Sequence, residues 1–202
     1  VEWNLHTSIR KMTTFIEEYQ LEDTTLCDSL LDMFWNADQK GLTYRGKSGP
    51  GKVQENVKKS TDFWIKDAEM LGPPEMFRWN EYQKELNEFI SQYLTKYLFY
   101  EYGGTFNAKQ LPQIQWYKPE EGYYEWHIDG AQRDTCDRAM VYMTYLNDID
   151  DGGGTMFYHQ DMTVKPKKGK TVIFPAAYTH LHKGEISNTQ DKFILTGWLW
   201  WN

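Results

Sequence analysis

The sequence predicts an α+β protein, a helical front half followed by an antiparallel sandwich or barrel, and three features of its 202 residues carry that expectation. Between residues 76 and 98, Trp79, Tyr82, Leu86, Phe89, Ile90, Tyr93 and Tyr97 recur at spacings of three and four, the period of one buried helix stripe. Beyond Gly103-Gly104 the period falls to two, in short segments rich in aromatic and β-branched residues. The length suits one core and is short for two. A single domain is therefore expected over 1–202.

The elements follow in order. Asp23-Thr24 can cap a helix whose apolar positions are Leu26, Leu30, Met33 and Phe34, and Gly41 ends it. Residues 42–60, LTYRGKSGPGKVQENVKKS, are rich in Gly and Lys and read as a loop with short strands at its edges, a connector by default and a lid by option. After the long helix, strands are expected at Gln113–Tyr117, Arg138–Leu146, Thr155–Tyr158, Thr171–Phe174 and Lys192–Trp201, parted by turn signals such as DDGGG and KKG. No internal repeat or low-complexity tract interrupts them.

Composition narrows the classes of partner. Nine Trp, fourteen Tyr and ten Phe within 40% apolar residues place the chain among ordered globular proteins. A net charge of -7 opposes a long phosphate-binding groove, so no nucleic-acid partner is expected, and the basic run 165–170 reads as a solvated turn. Cys27 and Cys136 share no metal-ligand spacing, which argues for a reducing compartment. The start VEWNLHTSIRK lacks the apolar stretch of a signal peptide and no apolar run is long enough to span a bilayer, so a soluble, cytoplasmic location with no membrane partner is expected.

The chemistry lies in YYEWHIDG, where His127 and Asp129 stand two residues apart. Alone, this pair fits a polar loop as well as a metal claw; a third donor has to come from elsewhere. His159 reads as a surface residue. His180 and His182 share strand parity, and both the ten-residue spacing to Lys192 and the adjacent Lys183 favour His182. In the strand KFILTGWLWW, period-2 alternation puts Lys192, Ile194, Thr196, Trp198 and Trp200 on one face. A lysine there either reaches the rim or needs an anionic partner. Two histidines and one carboxylate form the facial set that leaves iron with open positions. A cosubstrate that chelates through neighbouring oxygens and offers a distal carboxylate to Lys192 has the shape of 2-oxoglutarate.

These stretches, with YKPEEGYYEWHIDG, RAMVYMTYLNDIDDGGGTMF, KPKKGKTVIFPA and HKGEISNTQDKFILTGWLWWN in that order, resemble the Fe(II)/2-oxoglutarate-dependent dioxygenases of the prolyl 4-hydroxylase type over roughly residues 113–202. The resemblance implies a double-stranded β-helix (jelly-roll, cupin-like) catalytic core at 111–202, with 1–110 as mostly helical support. It implies Fe(II), 2-oxoglutarate and O2 as cofactors, with ascorbate as a candidate addition, and His127, Asp129 and His182 as metal ligands and catalytic centre. Lys192 and Tyr117 would bind the cosubstrate's distal carboxylate, and Tyr124 would stand near the substrate, a prolyl residue in a peptide or protein partner. The Tyr117–His127 interval is one residue longer than the usual spacing. Gly153-Gly154-Thr155 replaces the frequent GGE, in a turn expected to stay clear of the chemistry. Two other readings remain open at this stage: a non-catalytic jelly-roll module binding sugar or peptide, and a nucleic-acid demethylase of the same superfamily.

Overall fold

The computed structural model describes residues 13–49, 51–97 and 104–202; the N-terminal stretch read above for a signal peptide lies outside them, as do residue 50 and residues 98–103, including Gly103. In chain order the strands are β1 (Glu17–Gln20), β2 (Tyr44–Arg45), β3 (Thr61–Trp64), β4 (Phe106–Asn107), β5 (Gln113–Tyr117), β6 (Arg138–Tyr145), β7 (Thr155–Phe157), β8 (Met162–Val164), β9 (Lys170–Pro175), β10 (His182–Gly184) and β11 (Lys192–Trp201). The helices are α1 (Thr25–Gln39) and α2 (Pro73–Lys96).

Both helices begin and end where local chemistry allows. At the start of α1 the Asp23 carboxylate accepts the Thr25 N–H at 2.9 Å, and Gly41 leaves the helix with φ 69°. Gly72, at φ 119°, makes the turn into α2, and Pro73 sits in its first turn, where a missing N–H costs nothing. Trp79, Tyr82, Leu86, Phe89 and Tyr93 are buried along α2 as the stripe predicts.

Eight strands form one antiparallel sheet ordered β1-β9-β6-β11-β5-β3-β2, with β4 beside the end of β11, and β10-β7-β8 form a second sheet of three. The pleat of β6 and β11 sorts their side chains between two cores. Met140, Tyr142, Leu146, Phe193, Leu195 and Leu199 face α1 and α2, whereas Val141, Met143, Tyr145, Ile194, Trp198 and Trp200 face the small sheet. A buried chain of hydroxyls, Tyr82 to Thr144 at 2.6 Å and Thr144 to Thr171 at 2.7 Å, ties α2 to the sheet.

The front half is more than helical. β1 pairs with β9 on one side of the sheet (Glu17↔Ile173) and β3 with β5 on the other (Phe63↔Ile114). Each is four residues long, too short to print a period-2 signal that outweighs its neighbours. The 42–60 loop is stitched at its far end, where Val57 and Gly122 carbonyls accept the Tyr124 and Lys59 N–H groups, and Lys47, Ser48, Gly49 and Gly51 border the central cavity. Among the described residues no helix is long and apolar enough to cross a membrane.

Candidate metal centre and its cavity

His127, Asp129 and His182 come together with one donor atom each within 4.8 Å of one another. A bridge between the His-x-Asp loop and β10 sets this up, with the His127 N–H on the His182 carbonyl at 2.9 Å and the reverse bond at 3.0 Å. The Nδ1 of His127 lies 3.1 Å from the Glu125 carbonyl and that of His182 2.9 Å from the His180 carbonyl. A carbonyl only accepts, so each Nδ1 carries the proton and each Nε2 presents a lone pair to the centre. Burial, helped by the neighbouring His182, pushes the His127 imidazole down to about 3, so it is neutral and ready to ligate.

Asp129 completes the set. Its Oδ1 accepts the indole N–H of Trp198 at 2.9 Å, while its buried Oδ2 has no hydrogen bond among the described residues and stands 3.3 Å from His182 Nε2. That separation counts as ion-pair distance, yet with His182 protonated on Nδ1 the two atoms meet lone pair to lone pair. Two such groups facing across a short gap call for a cation. Burial opposes the carboxylate charge of Asp129, while the Trp198 indole N–H and the Arg138 guanidinium favour it. The donor set fits a divalent iron with positions left open.

His180 is not part of this group. Its Nε2 meets the Thr14 carbonyl at 2.8 Å and its Nδ1 meets Thr179, so the structure picks His182 of the two. His159 is exposed.

The triad opens into a cavity of about 610 Å³ whose wall also holds Lys192, Tyr117, Thr155 and Trp198. Lys192 is buried, and its one hydrogen bond among the described residues goes to the Gly154 carbonyl at 3.3 Å. Burial pulls its pKa down to about 8. An ammonium kept this dry and so thinly partnered is suited to receive an anion. Tyr117 stands directly opposite Lys192 in the β5–β11 register, but its hydroxyl donates to Gln115 Oε1 at 2.6 Å. The turn at Gly153–Thr155 does reach the chemistry, contrary to the sequence reading: Gly154 holds Lys192, and Thr155 both lines the cavity and bonds Tyr145 Oη at 2.7 Å. Its residues look like spacers in sequence; only the fold, which brings Gly154 against Lys192 of β11 and Thr155 against Tyr145 of β6, gives them contact.

Tyr124 turns its hydroxyl to the Glu120 carbonyl at 3.0 Å and is not among the cavity-lining residues. Tyr123 lines the cavity instead and stacks on the His127 ring, centroids 3.6 Å apart and planes 11° apart. Sequence reasoning also missed Arg138, packed 3.7 Å over Trp198, and the buried Lys58–Asp62 ion pair at 2.8 Å. The alternation Ser60, Asp62, Trp64 was the available signal, in a strand too short to stand out.

Residues 112–200 match the sequence model of the 2OG-Fe(II) oxygenase superfamily. Among curated proteins none matches the chain. Solved structures with a similar fold include the viral collagen prolyl hydroxylase of Paramecium bursaria Chlorella virus-1, at 24% identity and TM-score 0.65 over 92% of this chain and 95% of that one. A prolyl hydroxylase from Trichoplax adhaerens, solved with a hypoxia-inducible-factor peptide, gives 16% identity and TM-score 0.72 over 93% and 84%. A Pseudomonas putida prolyl-4-hydroxylase gives 20% and 0.69 over 92% of each chain. Fe(II), 2-oxoglutarate and O2 are the cofactors this family implies, and the triad and Lys192 suit the first two. Residues 112–200 thus carry a 2OG-Fe(II) oxygenase superfamily segment, set in a chain whose fold is prolyl 4-hydroxylase-like.

Proposed function

We propose that the chain is an Fe(II)- and 2-oxoglutarate-dependent dioxygenase that hydroxylates a C–H bond of a prolyl residue in a peptide or protein, while 2-oxoglutarate and O2 become succinate and CO2. In this reading the two sheets are the halves of a double-stranded β-helix, and 1–202 acts as one domain. The observation that carries it is the sharing of one cavity by a facial His-Asp-His set and a buried lysine in want of an anion. The peptide bound to the Trichoplax adhaerens relative, and the prolyl substrate in the names of all three relatives, support the substrate class.

His127, Asp129 and His182 would hold the metal on one side and leave the cavity side free for ligands. Bound Fe(II) supplies the oxidising chemistry, drawn from O2 and 2-oxoglutarate, that attacks the C–H bond. Lys192 would pair with the distal carboxylate of 2-oxoglutarate, with Tyr117 and Thr155 closing the wall beside it. Trp198 keeps Asp129 turned so that one oxygen is always offered to the centre. Val141, Met143, Phe174 and Ile194 exclude water around these groups.

Anaerobic titration of the metal-free protein with Fe(II) and 2-oxoglutarate tests this. The weak visible charge-transfer band of the chelate is expected in the parent and is expected to be lost in Asp129→Ala, together with iron-dependent succinate formation. A folded parent that gives no band overturns the proposal.

A further inference from the structure

Beside the lysine that would receive the cosubstrate stands an acidic residue to which neither the metal centre nor the cavity gives a role. Glu185 follows β10 directly and is exposed. Its N–H donates to the Gly154 carbonyl at 2.8 Å, and its Oε2 accepts the Gly154 N–H at 3.3 Å. The same Gly154 carbonyl accepts Lys192 Nζ at 3.3 Å. Glu185 therefore holds, by backbone and side chain together, the group that aims the lysine. A Cβ at residue 154 would stand 2.9 Å from Glu185 Oε2, 2.8 Å from Thr163 Cγ2 and 2.9 Å from the Val164 carbonyl oxygen, so glycine at 154 is what lets the carboxylate come this close.

The surroundings of Lys192 single out this carboxylate. The rings of Tyr117 on β5 and Tyr145 on β6 lie 5.8 and 5.7 Å from Nζ, and burial pushes both phenols far above their ordinary range, so they bring no charge. On the sides of β7 and β10 the neighbours are Thr155 and Gly184, both uncharged. Asp191, next in the chain, is turned to the Trp116 indole N–H at 2.8 Å. Among the described residues Glu185 is the acidic group whose charge acts on Lys192, and it favours the ammonium that burial disfavours. Glu185 is not among the cavity-lining residues, so it acts from behind Lys192 and leaves the cavity side of the ammonium to the cosubstrate.

We propose that Glu185 is a positioning residue for the cosubstrate: through Gly154 it fixes where the Lys192 ammonium stands, and its charge keeps that group an ammonium until the cosubstrate's carboxylate arrives. The inference rests on the dioxygenase reading above and extends the cosubstrate site to a residue outside the cavity.

The test reads the ammonium first without iron. In metal-free protein labelled with carbon-13 at the lysine Cε positions, the Lys192 resonance, identified by its loss in Lys192→Met, is followed against pH. Glu185→Gln keeps an oxygen for the Gly154 N–H and deletes only the charge, so thermal stability should hold. The Lys192 midpoint should fall by about half a pH unit, the scale for one partly exposed charge. The pH at which 2-oxoglutarate affinity declines, titrated by the Fe(II)–2-oxoglutarate band, should fall with it, while affinity at low pH stays within about twofold of the parent's. Glu185→Ala also frees Gly154 and should add a loss of about three- to tenfold in low-pH affinity. A Lys192 midpoint that Glu185→Gln leaves in place, or a low-pH affinity that Glu185→Ala leaves at the parent's value, overturns the assignment. Because the resonance needs neither iron nor cosubstrate, a parent that forms no band overturns the dioxygenase reading by itself.

Discussion

A single indole N–H decides which oxygen of Asp129 is left for a metal. Because Trp198 Nε1 holds Oδ1 at 2.9 Å, rotation of the carboxylate is arrested with Oδ2 aimed at the two imidazoles. Trp198→Phe keeps a ring under Arg138 but removes this donor. Iron affinity is expected to fall about ten- to hundredfold, the usual scale for losing a partner of a metal ligand, as measured by competition with a chelator. Lys192 carries the second residue-scale prediction. Its pKa, about 8 in the free protein, lies below the ordinary lysine value because of burial. Between these two values the unfolded chain binds the extra proton, so this group alone makes stability rise with pH across that window. Ligand binding runs the other way: an anionic carboxylate needs the ammonium form, so 2-oxoglutarate affinity should decline as pH climbs through about 8. Lys192→Met should weaken that affinity roughly ten- to hundredfold and flatten its pH dependence, as followed by titrating the visible band. A steep decline that persists in Lys192→Met would assign the proton to another group.

At the scale of elements, β11 is where sequence and fold agree most closely, and the reason is its length. Its ten residues, whose register against β6 shifts only between Leu199 and Trp200, are enough for Lys192, Ile194, Thr196, Trp198 and Trp200 to be assigned to one face before any coordinates, and they occupy it. The same strand hides a constraint that no periodicity reveals. A Cβ added at Gly197 would sit 2.2 Å from Tyr142 Oη and 2.3 Å from its Cζ, because the tyrosine of β6 lies flat over the glycine of β11. Gly197→Ala is therefore expected to destabilise by about 1–3 kcal/mol through overpacking, or roughly 2–10 °C in melting temperature for a chain of this size. Combining it with Tyr142→Leu should recover part of the loss; a melting point untouched by Gly197→Ala would mean the ring swings aside freely. The tyrosine near His127 shows the converse limit. His127 and Tyr124 are three residues apart on an irregular loop, where no period fixes direction, and it is Tyr123 that reaches the imidazole.

For the whole molecule, the change of period near Gly103-Gly104 separates a helical front from a β-rich back in the sequence, but it does not divide the hydrophobic core. The outer face of the sheet, with Ile114, Met140, Tyr142, Leu146, Phe193 and Leu195, is buried only because Leu26, Leu30, Phe34, Trp79 and Tyr82 lie on it. β1 covers the open side of β9 and β3 that of β5, and Lys58 and Asp62 bring front-half charge into the cavity itself. These links were invisible beforehand because each is a pairing between distant segments, fixed by register and not by local pattern. Residues 111–202 alone would expose that apolar face and two unpaired strand edges, the combination that drives edge-to-edge association. Such a fragment is expected to aggregate or to remain without fixed tertiary packing, read as loss of near-ultraviolet circular dichroism and of dispersed amide resonances. A fragment that stays monomeric, shows native dispersion and still forms the Fe(II)–2-oxoglutarate band would show that the β-rich half folds without its helices, and would return the front half to the role of plain support.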